Sequence, residues 1–129
     1  MKLLLDTHVL VWSATEPDRI APDARAAIED GTNDVLVSVI TAWEIAIKQS
    51  LGKLDLARPA EQWLPDVMKR TGYELAELTL PGALLVRGLP WHHKDPFDRL
   101  LIAQALDQGY TLVSRDSAFG AYGVPVLRA

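Results

Sequence analysis

Four carboxylates, Asp6, Glu44, Asp98 and Asp116, stand where a negative charge needs a reason. Asp6 closes the apolar run Leu3-Leu4-Leu5, and Asp116 follows the run Tyr110 to Val113. Glu44 lies i+4 from Ile40, i−3 from Ile47 and i−7 from Leu51. Asp98 precedes Leu101, Ile102 and Ala105 by three, four and seven residues. Residues at those spacings share one face of a helix, and here that face is apolar. An unpaired carboxylate is costly to bury. Crowded carboxylates also raise one another's pKa. No four cations are interleaved with them in a way that would pair them all. A divalent cation removes the conflict. Oxygen-only ligands select a hard ion, Mg²⁺ or Mn²⁺. Such an ion, held by few carboxylates, keeps waters and open positions, which suits a phosphate substrate.

Each carboxylate also has a plain structural reading. Asp6 fits a turn or a cap. Thr41-x-x-Glu44 fits a capping box. Asp98 suits the positive end of a helix dipole. Asp116, in Ser114-Arg115-Asp116-Ser117, fits a loop aspartate. Asp95 is read as a helix cap, with Pro96 at the first helical position, where its missing N–H costs nothing. The coincidence of four such residues favours the metal.

Four residues can meet only if the elements carrying them converge. Leu3-Leu4-Leu5 and Val35-Leu36-Val37 read as strands buried on both faces. Tyr110 to Val113 reads as a third strand, Tyr73 to Leu78 as a fourth, and Val124-Pro125-Val126 as a short edge strand, where proline is tolerated. Helices are expected from Thr7, as cap, to about Ala14, and from Pro22 to near Gly31. Others are expected over Thr41 to Leu51, 60 to 71, Leu80 to Arg87, and Asp95 to Gly109. Strands alternating with helices give a parallel α/β sheet with right-handed crossovers. In such a sheet, ligands bind outside the carboxyl ends of the strands, where the following helices begin. Asp6 and Asp116 follow strands, and Glu44 and Asp98 are expected in first turns of helices, so all four should face that edge.

The chain is 49% hydrophobic and 23% charged, which fits one globular domain over residues 1–129 with a real core. Its net charge of −4 makes non-specific nucleic-acid binding weak, so any such role needs local cations, metal or a second subunit. The absence of cysteine excludes disulfides and zinc–thiolate sites. Asp6 and His8 interrupt the apolar N-terminus, against a signal peptide, and no run reaches the roughly 20 apolar residues of a membrane span. A soluble, cytoplasmic chain is expected.

The stretches LLDTH (4–8), SVITAWEIAIKQSLGKL (38–54), HHKDPFDRLLIAQA (92–105) and LVSRD (112–116) resemble the PIN-domain ribonucleases, with greatest similarity to VapC-type toxins of toxin–antitoxin pairs. The resemblance implies a three-layer α/β/α fold with a central, mostly parallel sheet. It implies Mg²⁺- or Mn²⁺-dependent cleavage of single-stranded RNA regions; attack by metal-activated water rather than the ribose 2′-hydroxyl is then expected to leave 5′-phosphate ends. It places the family's acidic positions on Asp6, Glu44, Asp98 and Asp116, as catalytic and metal-holding residues. It further implies a homodimer and a cognate antitoxin. Ser114 stands where many relatives have Thr, and Lys94 where Arg is frequent; both changes keep the chemistry.

Thr7 and Ser114 flank two of the acids and are expected to orient carboxylates or water. Lys94, Arg99 and Arg115 are candidate contacts to RNA phosphates. Lys48, one turn after Glu44, could pair with it or hold phosphate. His92 and His93 lack zinc-site spacing and read as loop residues near an RNA groove. Trp91 is the candidate base-stacking ring. Two other classes compete. A receiver-like phosphoacceptor domain needs a second acid after strand 1 and a late Lys-Pro, which are absent. A PIN-fold binding module without catalysis would not need the carboxylates.

Overall fold

The computed structural model describes residues 1–129. Five strands, β1 (Lys2–Leu5), β2 (Asp34–Ser38), β3 (Glu74–Ala76), β4 (Thr111–Ser114) and β5 (Val126–Arg128), form one sheet in the order β3-β2-β1-β4-β5. Every pairing is parallel. The helices are α1 (Thr7–Thr15), α2 (Pro22–Glu29), α3 (Val39–Ser50), α4 (Ala60–Thr71), α5 (Leu80–Leu85) and α6 (Pro96–Gln108). None is long and apolar enough to cross a membrane.

The apolar runs of the central strands follow from their position between two layers of helices. Register pairs Leu3 with Val35 and Leu5 with Val37 and Val113, and these side chains join Val9, Ile28, Ile45 and Val67 in one core. Leu4, level with Leu36 and Leu112, points the other way and packs with Leu101, Ile102 and Phe119 in a second core. Successive strand side chains take opposite faces, so a strand covered on both sides has no polar position to spare. The expected α/β/α layering is therefore observed, and the sheet is wholly parallel.

The strand order reverses beside β1. The chain moves from β1 to β2 and β3 in one direction, then returns to place β4 and β5 on the other side. The carboxyl ends of β1 and β4 thus lie side by side, at the point where connections diverge and leave a crevice.

Several boundaries differ from expectation. Asp6, not Thr7, caps α1, accepting from the Val9 N–H at 2.8 Å. Helix α3 starts at Val39, because the Ser38 hydroxyl accepts from the Ile40 N–H at 3.0 Å. Thr41 is therefore inside the helix, the capping box does not form, and Glu44 belongs to the second turn rather than the first. Strand β5 begins after Pro125, whose carbonyl accepts from the Leu112 N–H at 2.9 Å. Pro65 lies inside α4 on its solvent face, where water can satisfy the carbonyl it leaves free.

Candidate active site: an acidic cleft at the carboxyl edge of the sheet

Strand β1 delivers Asp6 to the crevice. Its Oδ1 caps α1, and its Oδ2 accepts a 2.5 Å hydrogen bond from the Ser114 hydroxyl at the end of β4. The backbone is tied as well, the Asp6 N–H donating to the Val113 carbonyl at 3.1 Å. Asp6 is buried, and burial raises its pKa above the usual carboxylate value. The hydrogen bonds from Ser114 and Val9 oppose that rise without cancelling it.

Helix α3 buries Glu44 behind α1. The Thr7 hydroxyl donates to Glu44 Oε1 at 2.6 Å, and the Lys48 ammonium pairs with Oε2. Burial works against the charge of Lys48. The bond to Glu44, with the fields of Asp95 and Asp98, outweighs it and leaves the pKa raised. Pairing with Glu44 is thus the role Lys48 takes.

Helix α6 brings Asp98. Asp95 caps the helix through the Phe97 N–H at 2.8 Å, as expected, and Asp98 follows in the first turn. It is half-buried, and no hydrogen bond offsets the cost. Burial, then the Asp95 charge, pushes its pKa up to about 7; His93 pulls it down, and Glu44 and Asp6 add to the rise. Asp98 carries the most strongly perturbed carboxyl of the four.

Asp116 leads off β4 and is partly exposed. Its Oδ1 accepts from the Ala118 N–H at 2.9 Å, and its Oδ2 meets His93 Nε2 at 2.7 Å. The His93 contact holds its pKa below the usual value. His93 Nδ1 lies 3.0 Å from the Tyr122 hydroxyl, so the imidazole bridges the two.

Asp6, Asp98 and Asp116 line one cleft of about 390 Å³ with His8, Trp12, Arg115 and Phe119. Glu44 stands behind it, reached through Thr7. A larger hollow, about 480 Å³, lies away from this chemistry beside the amino ends of β2 and β3. No three Asp, Glu or His side chains converge tightly enough to enclose an ion by themselves. The donor set nevertheless fits a hard divalent cation bound with open positions. The donors are carboxylate oxygens, and Asp98 faces net negative potential with no partner in the chain.

The other expected residues divide. Thr7 and Ser114 each hydrogen-bond one of the acids. Arg115 lines the cleft, and Lys94 is exposed in a separate hollow with Trp91 and Pro96. Arg99 does not reach for RNA. It is buried, and its guanidinium donates to the carbonyls of Val86, Leu89, Pro90 and His93, with Trp91 stacked 3.7 Å away. The adjacent residue in a helix points about 100° away, so Arg99 turns inward and fastens the 86–93 segment. Trp91 is thereby a lid on Arg99, though still largely exposed. His8, Trp12 and the His93–Asp116 contact join the site without having been expected there from the sequence. His8 and Trp12 are i,i+4 neighbours one turn past Asp6, a signal the sequence does carry.

Residues 3–125 match the family model described as PIN domain. Ribonuclease VapC22 of Mycobacterium tuberculosis is 30% identical over 125 residues, spanning 95% of this chain and 93% of that protein. Ribonuclease VapC16 of the same organism is 45% identical over 58 residues, spanning 42% of this chain and 41% of that protein. Among solved structures, VapBC2 from Rickettsia felis, bound to a DNA fragment from its promoter, superposes with a TM-score of 0.73 at 16% identity, covering 99% of this chain and 98% of that one. DNA-bound VapBC from Salmonella typhimurium gives 0.63 at 18% identity, covering 99% and 98%. At those identities the structural likeness speaks to fold alone.

Proposed function

This chain belongs to the PIN-domain family, and from that premise we propose that it is a metal-dependent endoribonuclease acting as the toxin of a toxin–antitoxin pair. The observation that carries the reading is Asp98. It shares a cleft with Asp6 and Asp116, and no hydrogen bond or ion pair in the chain offsets its charge. Residues 1–129 then form one PIN domain, with single-stranded regions of RNA as substrate, Mg²⁺ or Mn²⁺ as cofactor, and the cytoplasm as location.

Asp6 and Asp98 would hold the ion most directly, with Asp116 at the rim and Glu44 acting through Thr7 or water. A cation bound there supplies neutralising charge for the phosphate and acidifies water for its attack. The chain's own groups do the positioning. Val9 and Ser114 fix both oxygens of Asp6. Thr7 and Lys48 fix Glu44. Hydrolysis by water, without the ribose 2′-hydroxyl, leaves a 5′-phosphate and a 3′-hydroxyl.

Exposed apolar side chains on α5 and the following loop, Leu80, Leu84 and Trp91, support a protein partner, a second copy or the antitoxin. VapC relatives and VapBC complexes among the similar proteins support the antitoxin reading.

The test is cleavage of mixed-sequence single-stranded RNA by the purified chain in Mg²⁺ or Mn²⁺, then in excess EDTA. Metal-dependent cuts ending in 5′-phosphates are expected. Equal cleavage in EDTA, or 2′,3′-cyclic phosphate ends, would refute the mechanism.

A further inference from the structure

Beside the acidic cleft lies a second hollow of about 340 Å³, and the two share His8 and Trp12 as a common wall. Its character is different. Arg19, Lys48 and Lys53 line it, and Glu16 is its one acid. Lys48 is committed to Glu44. Arg19 meets Glu16 at 3.4 Å in an exposed pair, which holds little energy and is easily exchanged. Lys53 is exposed and has no ion-pair partner.

Trp12 organises the boundary. One part of the ring packs on the core beneath α1. The Arg19 guanidinium lies 4.8 Å from the ring centroid and that of Arg115 lies 4.2 Å from it. Arg115 also donates to the Arg19 carbonyl, linking the end of β4 to the turn after α1. A guanidinium stacked on a ring loses rotamer freedom but keeps its remaining in-plane N–H donors for a phosphate. The chain thus fixes two cations on one tryptophan at the mouth of a phosphodiester-cleaving cleft, in a molecule of net charge −4.

We propose that this hollow, entered past Arg115 at the rim of the acidic cleft, is the backbone track of the substrate: Arg115, Arg19 and Lys53 bind successive RNA phosphates beside the scissile one, and Trp12 is a positioning residue that holds the two arginines. The proposal rests on the nuclease reading above. Cations in file beside a half-buried ring at a cleft mouth suit single-stranded nucleic acid, whose charge recurs with each nucleotide. An acidic peptide would need no alignment with the catalytic acids. His8, with its ring 5.9 Å from that of Trp12, adds a second flat surface where the strand crosses between hollows.

The experiment is fluorescence anisotropy of a labelled mixed-sequence RNA with the full chain, in EDTA so that binding is read without cleavage, over a series of salt concentrations. Arg19→Ala, Lys53→Ala and Arg115→Ala should each weaken binding by about three- to tenfold and lower the log–log salt slope by roughly 0.7. Trp12→Leu should weaken it comparably, and its effect should overlap that of Arg19→Ala rather than multiply with it. Trp12→Phe keeps a ring in place and should restore most of the affinity, which separates stacking from a folding defect. The triple arginine and lysine variant binding with wild-type affinity and slope, while wild type cuts RNA in metal, would overturn the track and leave the nuclease reading standing. Wild type that neither binds nor cuts RNA would overturn both. Variants that bind and cut normally but escape antitoxin inhibition would make the cluster a protein contact and overturn the proposal.

Discussion

Asp6 and Asp98 line the same cleft, and the fold treats them in opposite ways. Asp6 is the more buried, yet both its oxygens have donors, a helix N–H and the Ser114 hydroxyl. Asp98 is only half-buried and has none, so its carboxyl is pushed up to about 7. Asp6 therefore serves the fold whatever else it does: it caps α1 and stitches β1 to β4. Asp98 gives the fold nothing visible, and Asp95 already caps its helix. A carboxylate whose environment penalises its charge and whose removal harms nothing structural points to a partner outside the chain. The structural readings open for these residues thus separate: capping accounts for Asp6 in part, while Asp98 keeps the first-turn place that suits the helix dipole yet has no hydrogen bond to offset its burial.

The largest effect that would break this contrast concerns activity. Asp98→Asn keeps the shape and removes the charge. Losing a residue that merely orients a metal ligand costs roughly 10–100-fold, so Asp98→Asn should lower RNA cleavage by about 100-fold or more. Its thermal midpoint in EDTA should match or exceed wild type. Wild-type turnover from this variant, measured on a preparation free of contaminating nuclease, would remove Asp98 from the site.

Asp6→Ala should damage both. It removes a cap, worth about 1 kcal/mol, and leaves the buried Ser114 hydroxyl without its acceptor, costing about 1 kcal/mol more. Urea unfolding should show a loss near 2 kcal/mol. A loss of activity with no loss of stability would show that Asp6 and Asp98 are not treated differently after all.

Ser114→Ala and Thr7→Val come next. Each strips one hydrogen bond from a buried acid, Asp6 or Glu44. Activity should fall by roughly tenfold and the apparent metal affinity with it. Stability should change by about 1 kcal/mol or less. Metal titrations of activity check this, since a structural lesion would lower the maximum without moving the midpoint.

A further effect lies in the pH dependence of the metal-free fold. The folded pKa of Asp98 is raised to about 7, well above the ordinary aspartate value. The favourable contribution is full below the ordinary value and is lost as pH rises through about 7, because the unfolded chain releases the proton first. The difference in unfolding free energy between wild type and Asp98→Asn in EDTA should therefore turn against wild type between pH 5 and pH 8. Asp116 runs the other way: its lowered pKa gives stability above the ordinary carboxylate value and loses it on further acidification. A wild-type minus variant difference that stays flat across that range would contradict the environment assigned to Asp98.

The sheet and the four acids are readable in the sequence because their signals are local. Leu3 to Leu5, a short apolar run ended by Asp6, reads as a strand with helices on both sides, and a carboxylate on an apolar helix face declares itself by spacing. The start of α3 misleads because Val35 to Ile40 is one largely β-branched, apolar run in which only the Ser38 hydroxyl marks the change from strand to helix. Glu44 therefore reads one turn too early. Arg99 misleads for a deeper reason. Its destination, four carbonyls of the 86–93 segment, exists only once that segment folds back over α6. Contacts such as His93 to Asp116, 23 residues apart, and Arg115 to Arg19, 96 apart, leave no periodic trace.

The most direct test of the central claim, that Asp98 is held in wait for a cation, is the rise in thermal midpoint on adding Mn²⁺ to the metal-free chain, compared between wild type and Asp98→Asn at pH 8. Binding to the folded state alone stabilises it by RT ln(1 + [Mn²⁺]/Kd). The account predicts a clear, saturable rise for wild type and little or none for the variant. An equal rise in both would place the cation elsewhere and leave the unpaired charge of Asp98 without its explanation.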